Sequence, residues 1–143
     1  MNVQVEDSFA ARAHVLVATE DPGLRVQIDE TLRKDGHHVT GVEDGVELLE
    51  RLVATHETRF HVVIADIELS GFTGLEVLGL TDGAPERPPI LLMIPAGEPT
   101  LRRAAAQFGA KGVIERPYDV DELRLLVATL IRTPHRPLGS RAA

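Results

Sequence analysis

Four short runs are apolar at nearly every position: residues 14–18 (HVLVA), 61–65 (HVVIA), 90–94 (ILLMI) and 112–115 (GVIE). Each has strand length, is rich in β-branched residues and lacks the alternation of a half-solvated strand. The pattern therefore predicts strands covered on both faces by helices. A weaker fifth strand is predicted at residues 37–42. Between these runs the apolar spacing changes to three and four. Leu24, Ile28 and Leu32 recur every fourth residue, with Pro22 near the first turn and Gly36 as a stop. Val46, Leu49 and Leu52/Val53 mark a second helix, and Leu75, Val77 and Leu78 a shorter third that Gly83 and Pro85 end. Pro99 opens a fourth, alanine-rich helix running to about Phe108, with Gly109 after it. The fifth starts on Asp119 and Glu122, a D-x-x-E variant of the capping box, ahead of Leu123, Leu126/Val127 and Leu130.

Five strand–helix alternations call for a parallel sheet joined by right-handed crossovers. The expected fold is a flavodoxin-like, doubly wound (βα)5 domain of the α/β class with strand order 2-1-3-4-5. The domain is assigned to residues 13–132, with residues 1–12 and 133–143 as tails. No internal repeat is visible.

The length of 143 residues fits one domain. No apolar run approaches the roughly 20 residues that cross a bilayer, and the first eleven residues lack the blocks of a signal peptide. A cytoplasmic protein with no membrane insertion is expected. The absence of cysteine excludes disulfides, thiolate metal sites and a cysteine nucleophile. A net charge of −7 argues against nucleic acid as a partner, because phosphate backbones are bound by clustered cations.

In open parallel sheets of this kind, sites form beyond the carboxyl ends of the strands, at the switch point between strands 1 and 3. Thr19, Glu20, Asp21 and Asp66 fall there, with Ile94 and Arg116 at the ends of strands 4 and 5. Glu20, Asp21 and Asp66 would repel one another unless a cation or water separates them. Magnesium suits such a place, since it prefers oxygen ligands and often takes only one or two carboxylates. A carboxylate beside it can act as a nucleophile toward a phosphoryl group. The same acids can equally be solvated loop residues, or helix N-terminal acids favoured by the macrodipole.

Longer stretches add a resemblance. Asp66-Ile-Glu-Leu-Ser-Gly-Phe-Thr-Gly74-Leu-Glu-Val-Leu78 is similar to the phosphoacceptor loop of the response-regulator receiver family. Val15-Leu-Val-Ala-Thr-Glu-Asp-Pro22 resembles its first strand and acidic pair, and Phe108-Gly-Ala-Lys-Gly-Val-Ile-Glu-Arg-Pro117-Tyr-Asp resembles its fifth-strand segment. The match covers about residues 15–131 in order and spacing. It implies Asp66 as phosphoacceptor and a magnesium site made by Glu20, Asp66 and the backbone carbonyl of Glu68. It also implies a sensor histidine kinase or phosphotransfer protein as phosphodonor. A downstream signalling protein is expected on the face of helix 4, strand 5 and helix 5.

Departures from the family pattern fall on the switch. Thr19 replaces one acid of the pair, a weak ligand that lowers the expected affinity for magnesium, and Asp21 reads as the cap of the first helix. Ser70 stands for the usual loop proline. Ile94 occupies the place of the Thr or Ser that hydrogen-bonds the phosphoryl group, an interaction of roughly 1.5–3 kcal/mol, the size of a typical allosteric coupling. Arg116 replaces the phosphate-contacting lysine and could instead pair with Asp66 permanently. Val113 takes the place of the coupling aromatic.

Other residues have plainer readings. His14 and His61 lie at amino ends of strands, opposite the site; His37 and His38 read as an exposed strand entry and His56 as a loop residue. Gly71-x-x-Gly74 fits turn geometry, and Ala104 to Ala106 are good helix formers. Neither a G-x-S-x-G elbow nor a Walker lysine motif occurs, and the chain is not read as an enzyme. Two functions compete: a phosphorylated signalling receiver with impaired switching, and an interaction module that binds without phosphorylation. A flavodoxin-like cofactor binder lacks a phosphate loop. Because the sequence stops soon after the fifth helix, no DNA-binding output domain is expected.

Overall fold

The computed structural model describes residues 13–54 and 59–132, so the two tails and His56 lie outside the described residues. Strands and helices alternate: β1 (His14–Ala18), α1 (Pro22–Lys34), β2 (His38–Val42), α2 (Gly45–Val53), β3 (Val62–Asp66), α3 (Gly74–Leu80), β4 (Ile90–Ile94), α4 (Pro99–Gln107), β5 (Gly112–Glu115) and α5 (Val120–Arg132). The five strands form one parallel sheet in the order β2-β1-β3-β4-β5, as expected.

The period of two along each strand sorts the core into two layers. Val15, Val17, Val62, Ile64, Leu91, Met93 and Ile114 face α1 and α5, where Ile28, Leu32, Leu123 and Val127 meet them. Leu16, Ala18, Val63, Ala65, Ile90, Leu92 and Ile94 face α2, α3 and α4. Every residue of β3 and β4 is buried, which is why these strands read as unbroken apolar runs.

Several local expectations change. β3 begins one residue later than the apolar run and takes in Asp66 as its last member. In α2 the buried positions are Gly45, Leu48 and Leu52, while Val46 and Val53 are exposed. The Asp44 side chain accepts the Glu47 N–H at 2.8 Å and fixes where the helix begins, leaving Val46 beside Gly71 in the loop after β3. α3 ends at Leu80, with Thr81 as its cap, before Gly83 and Pro85 are reached. The reciprocal capping box forms at Thr73 and Glu76 of α3. At α5 Asp119 instead accepts the N–H of Asp121 at 2.9 Å. His37 is buried, and only His38 is exposed. Among the described residues no helix is long and apolar enough to cross a membrane.

Candidate acid site at the carboxyl edge of the sheet

The ladder hydrogen bonds continue one residue beyond the central strands. Thr19 donates its N–H to the Val42 carbonyl, Ile67 to Met93 and Arg116 to Ile94. Extended backbone therefore carries the alternation onward, and positions 19, 66 and 116 continue the set formed by 17, 64 and 114. Contacts agree with this placement. The Thr19 hydroxyl lies 3.4 Å from Asp66 Oδ2, and Arg116 Nη2 lies 3.9 Å from Asp66 Oδ1.

Asp66 is 5% exposed and sits in the middle of the sheet. The Glu68 N–H donates to its Oδ1 at 3.0 Å. Burial pushes the Asp66 carboxyl above its ordinary value; the Glu68 N–H, Arg116 and Thr19 pull it back without cancelling that cost, and the Glu68 carboxylate adds to it. Thr19 is fully buried, and its oxygen also accepts the Asp21 N–H at 3.1 Å. Asp21 itself caps α1, accepting from the Gly23 and Leu24 N–H groups at 3.0 and 3.2 Å. Its expected role as a cap is the one it has.

The loop after β3 is held from three sides. Glu20 Oε2 accepts the Ser70 N–H at 2.6 Å. The Gly45 N–H at the start of α2 donates to the Ser70 carbonyl at 2.9 Å. Gly74 packs against the Asp66 carbonyl, the Ile67 Cα and Leu92, leaving no room for a Cβ. The loop that follows the acid is thus fixed by its glycine and by two neighbouring elements.

Arg116 has Glu68 as its nearer partner, with Nη2 2.9 Å from Oε1. The Glu68 carboxylate is thus the group that engages the arginine. The guanidinium carbon also stands 5.4 Å from the centroid of the Tyr118 ring. The Tyr118 phenol is pushed up to about 12, first by burial and then by the charge of Asp66. Ile94 ends β4 fully buried, and its side chain belongs to the opposite layer, with α2, α3 and α4. Val113 is partly buried against that same layer.

His14 and His61 meet at the other edge, where the His14 N–H donates to His61 Nδ1 at 2.9 Å. Among the described residues no group of three or more His, Asp or Glu could hold a metal by itself. At the acid edge two carboxylates, Glu20 and Asp66, could serve as metal ligands. That set fits magnesium, which accepts one or two protein carboxylates and completes its shell with water. The upward push on Asp66 is also relieved by any cation placed beside it.

Tyr118 and the Glu68 carboxylate were not singled out from the sequence. Counting alternate residues past the strand ends would have put Thr19, Asp66 and Arg116 on one face. Nothing in the spacing points to Tyr118, which lies beyond the cis Arg116–Pro117 peptide.

Residues 15–128 match the family model for the response regulator receiver domain. The chain is 27% identical over 134 residues to the transcriptional regulatory protein FixJ of Bradyrhizobium diazoefficiens, covering 94% of this chain and 64% of that protein. It is 26% identical over 110 residues to sporulation initiation phosphotransferase F of Bacillus subtilis, covering 77% of this chain and 86% of that one. The chain therefore spans just under two thirds of FixJ but most of the Bacillus protein. Full-length FixJ from B. japonicum superposes with a TM-score of 0.74 at 28% identity, over 84% of this chain and 58% of that one. The chemotaxis response regulator CheY4 of Vibrio cholerae gives 0.73 at 24% identity, over 83% and 98%.

Proposed function

The chain belongs to the response regulator receiver domain family, and from that premise we propose that Asp66 is its phosphoacceptor, in a receiver whose switching is impaired. The observation that carries this reading is the geometry around Asp66. It is a buried carboxylate at the end of the central strand, with the Arg116 guanidinium 3.9 Å away and a glycine-fixed loop behind it.

A carboxylate oxygen of Asp66 attacks the phosphorus of a phosphohistidine on a sensor kinase or phosphotransfer protein. The P–N bond breaks, its electron pair returns to the imidazole nitrogen, and an acyl phosphate forms on Asp66. Glu20, Asp66 and the Glu68 carbonyl would hold magnesium, with Thr19 a weak contributor. When bound, the ion supplies charge neutralisation on the phosphoryl oxygens. Thr19 reduces the carboxylate count and supports weakened affinity. Arg116 offers two donors to a phosphoryl oxygen, provided it leaves Glu68.

Impaired switching is supported at two places. Ile94 brings no hydroxyl to the phosphoryl group, and Val113 brings no aromatic ring to couple it outward. Output is assigned to a downstream signalling protein bound on the face of α4, β5 and α5. The domain proper is residues 13–132.

A second reading follows from the 2.9 Å Arg116–Glu68 pair, which engages the site's cation in the unmodified protein. It makes the chain a receiver-fold interaction module that works without phosphorylation.

Incubation with magnesium and a small phosphodonor separates the two. Intact mass should rise by one phosphoryl group, and amide NMR shifts should depend on Asp66, with Asp66→Asn as control. Shifts confined to the loops around Asp66 fit impaired switching, and shifts reaching α4 and α5 would overturn it. No gain in mass sinks the phosphoacceptor reading and leaves the interaction module.

A further inference from the structure

One polar group at the acid site has no part in this chemistry: the hydroxyl of Tyr118. Its ring packs on the α1 and α5 side of the sheet, in the cluster that holds Met93, Ile114 and Leu123. This is the face whose alternation Asp66 continues. Tyr118, Arg116 and Asp66 stand in series, with the guanidinium 5.4 Å from the ring centroid and 3.9 Å from the carboxylate.

The Tyr118 oxygen is buried and finds no hydrogen-bond partner of good geometry among the described residues. Arg116 is the polar group beside it, and a guanidinium carries donors only. Whatever Arg116 does for the phenol oxygen, it cannot accept the O–H proton. A buried donor without an acceptor is costly, and native proteins hold few of them. The Thr19 hydroxyl is engaged already, since it faces Asp66 and accepts from Asp21. The end of β4 contributes only Ile94.

We propose that the Tyr118 hydroxyl is the neutral hydrogen-bond donor for the group carried on Asp66, donating to a phosphoryl oxygen of the acyl phosphate. It takes the part that no hydroxyl from β4 can play here. The inference rests on Asp66 being the phosphoacceptor. Its logic is that phosphorylation brings three acceptor oxygens to a place where one buried donor lacks an acceptor. The phenol is fully protonated at neutral pH, as a donor must be.

The chain has a single tyrosine and no tryptophan, so its emission reports Tyr118 alone. The experiment uses the full chain with magnesium and beryllium fluoride, which forms a phosphoryl mimic on a carboxylate. Fluorine NMR reads the bound adduct and its affinity, and tyrosine emission reads the phenol. The wild type should form the adduct with a change in emission, and Asp66→Asn should show neither. Tyr118→Phe keeps the ring over Arg116 and removes only the hydroxyl. It should melt no lower than the wild type and bind beryllofluoride about tenfold more weakly, or 1.4 kcal/mol. A purely structural tyrosine would change the melting temperature and leave the affinity alone.

Equal affinity in Tyr118→Phe, or an adduct that leaves the emission unmoved, overturns the inference while Asp66 stays the acceptor. Failure of the wild type to form any adduct or take up phosphate removes the phosphoacceptor reading, and this inference with it. Should the Phe variant not fold, wild-type emission against fluorine NMR still decides.

Discussion

Asp66 is buried, and its carboxyl is pushed above the ordinary value because the cost of burial exceeds what the Glu68 N–H, Arg116 and Thr19 return. The sign of the linkage follows. Below the ordinary carboxylate range both folded and unfolded chains carry the proton, and Asp66 costs nothing. As pH rises through the raised folded value, the folded state binds more protons than the unfolded one, so stability falls. In magnesium-free buffer with EDTA, Asp66→Asn should therefore melt higher than the wild type at pH 7. The gap should close as pH is lowered through the folded value. Thermal unfolding across pH 3.5–8, a range set by the ordinary carboxylate value of about 3.9, tests this; a variant less stable than wild type at pH 7 would contradict it. Thr19 and Arg116 show why single replacements carry so much weight at this edge. A hydroxyl touches Asp66 where a second acid would repel it, and a single nitrogen of Arg116 lies 2.9 Å from Glu68 and 3.9 Å from Asp66.

The loop and helix after β3 decide where Asp66 points, and their chemistry is local. Thr73 and Glu76 close a reciprocal capping box on α3, while Gly74 lies against the carbonyl of Asp66 itself. These two neighbours predict different damage. Thr73→Ala removes one cap and should cost about 1 kcal/mol, measured by urea unfolding, with little effect on phosphorylation. Gly74→Ala forces a methyl group into backbone that cannot retreat, and overpacking of this kind costs about 1–3 kcal/mol. It should also displace Asp66 and lower the rate of phosphate uptake several-fold in a mass-spectrometric time course. Equal phosphorylation rates in the two variants would show that the loop does not position the acid. Gly45 acts on the same loop from α2, donating its N–H to Ser70 and packing against the Phe72 carbonyl. Three elements thus converge on the residues that follow the acid.

Across the whole molecule the sheet separates two apolar layers, and adjacent residues of β4 report on them separately. Leu91 belongs to the α1 and α5 layer, and Leu92 to the layer of α2, α3 and α4, where it also abuts Gly74. Each Leu→Ala change should cost about 2–5 kcal/mol in urea unfolding. Leu92→Ala should in addition shift the amide resonances of residues 66–74 and slow phosphate uptake, whereas Leu91→Ala should leave that loop in place; matching NMR changes in both would refute the separation. The sequence by itself determined the alternation of elements, the parallel sheet and its order. Strands buried on both faces must be apolar throughout, and helices on a sheet must repeat every three to four residues. It also marked Asp66, because an acid ending an apolar strand stands out against its neighbours. Only the tertiary structure decided how α2 is turned, where the capping box closes, and that Arg116 grips the Glu68 carboxylate. Only there does Tyr118 join the site. These depend on distances between residues up to about fifty positions apart, such as Glu20 with Ser70 and Glu68 with Arg116. A periodicity of two or 3.6 says which face a residue takes, and the packing of one strand end against the next says what it touches.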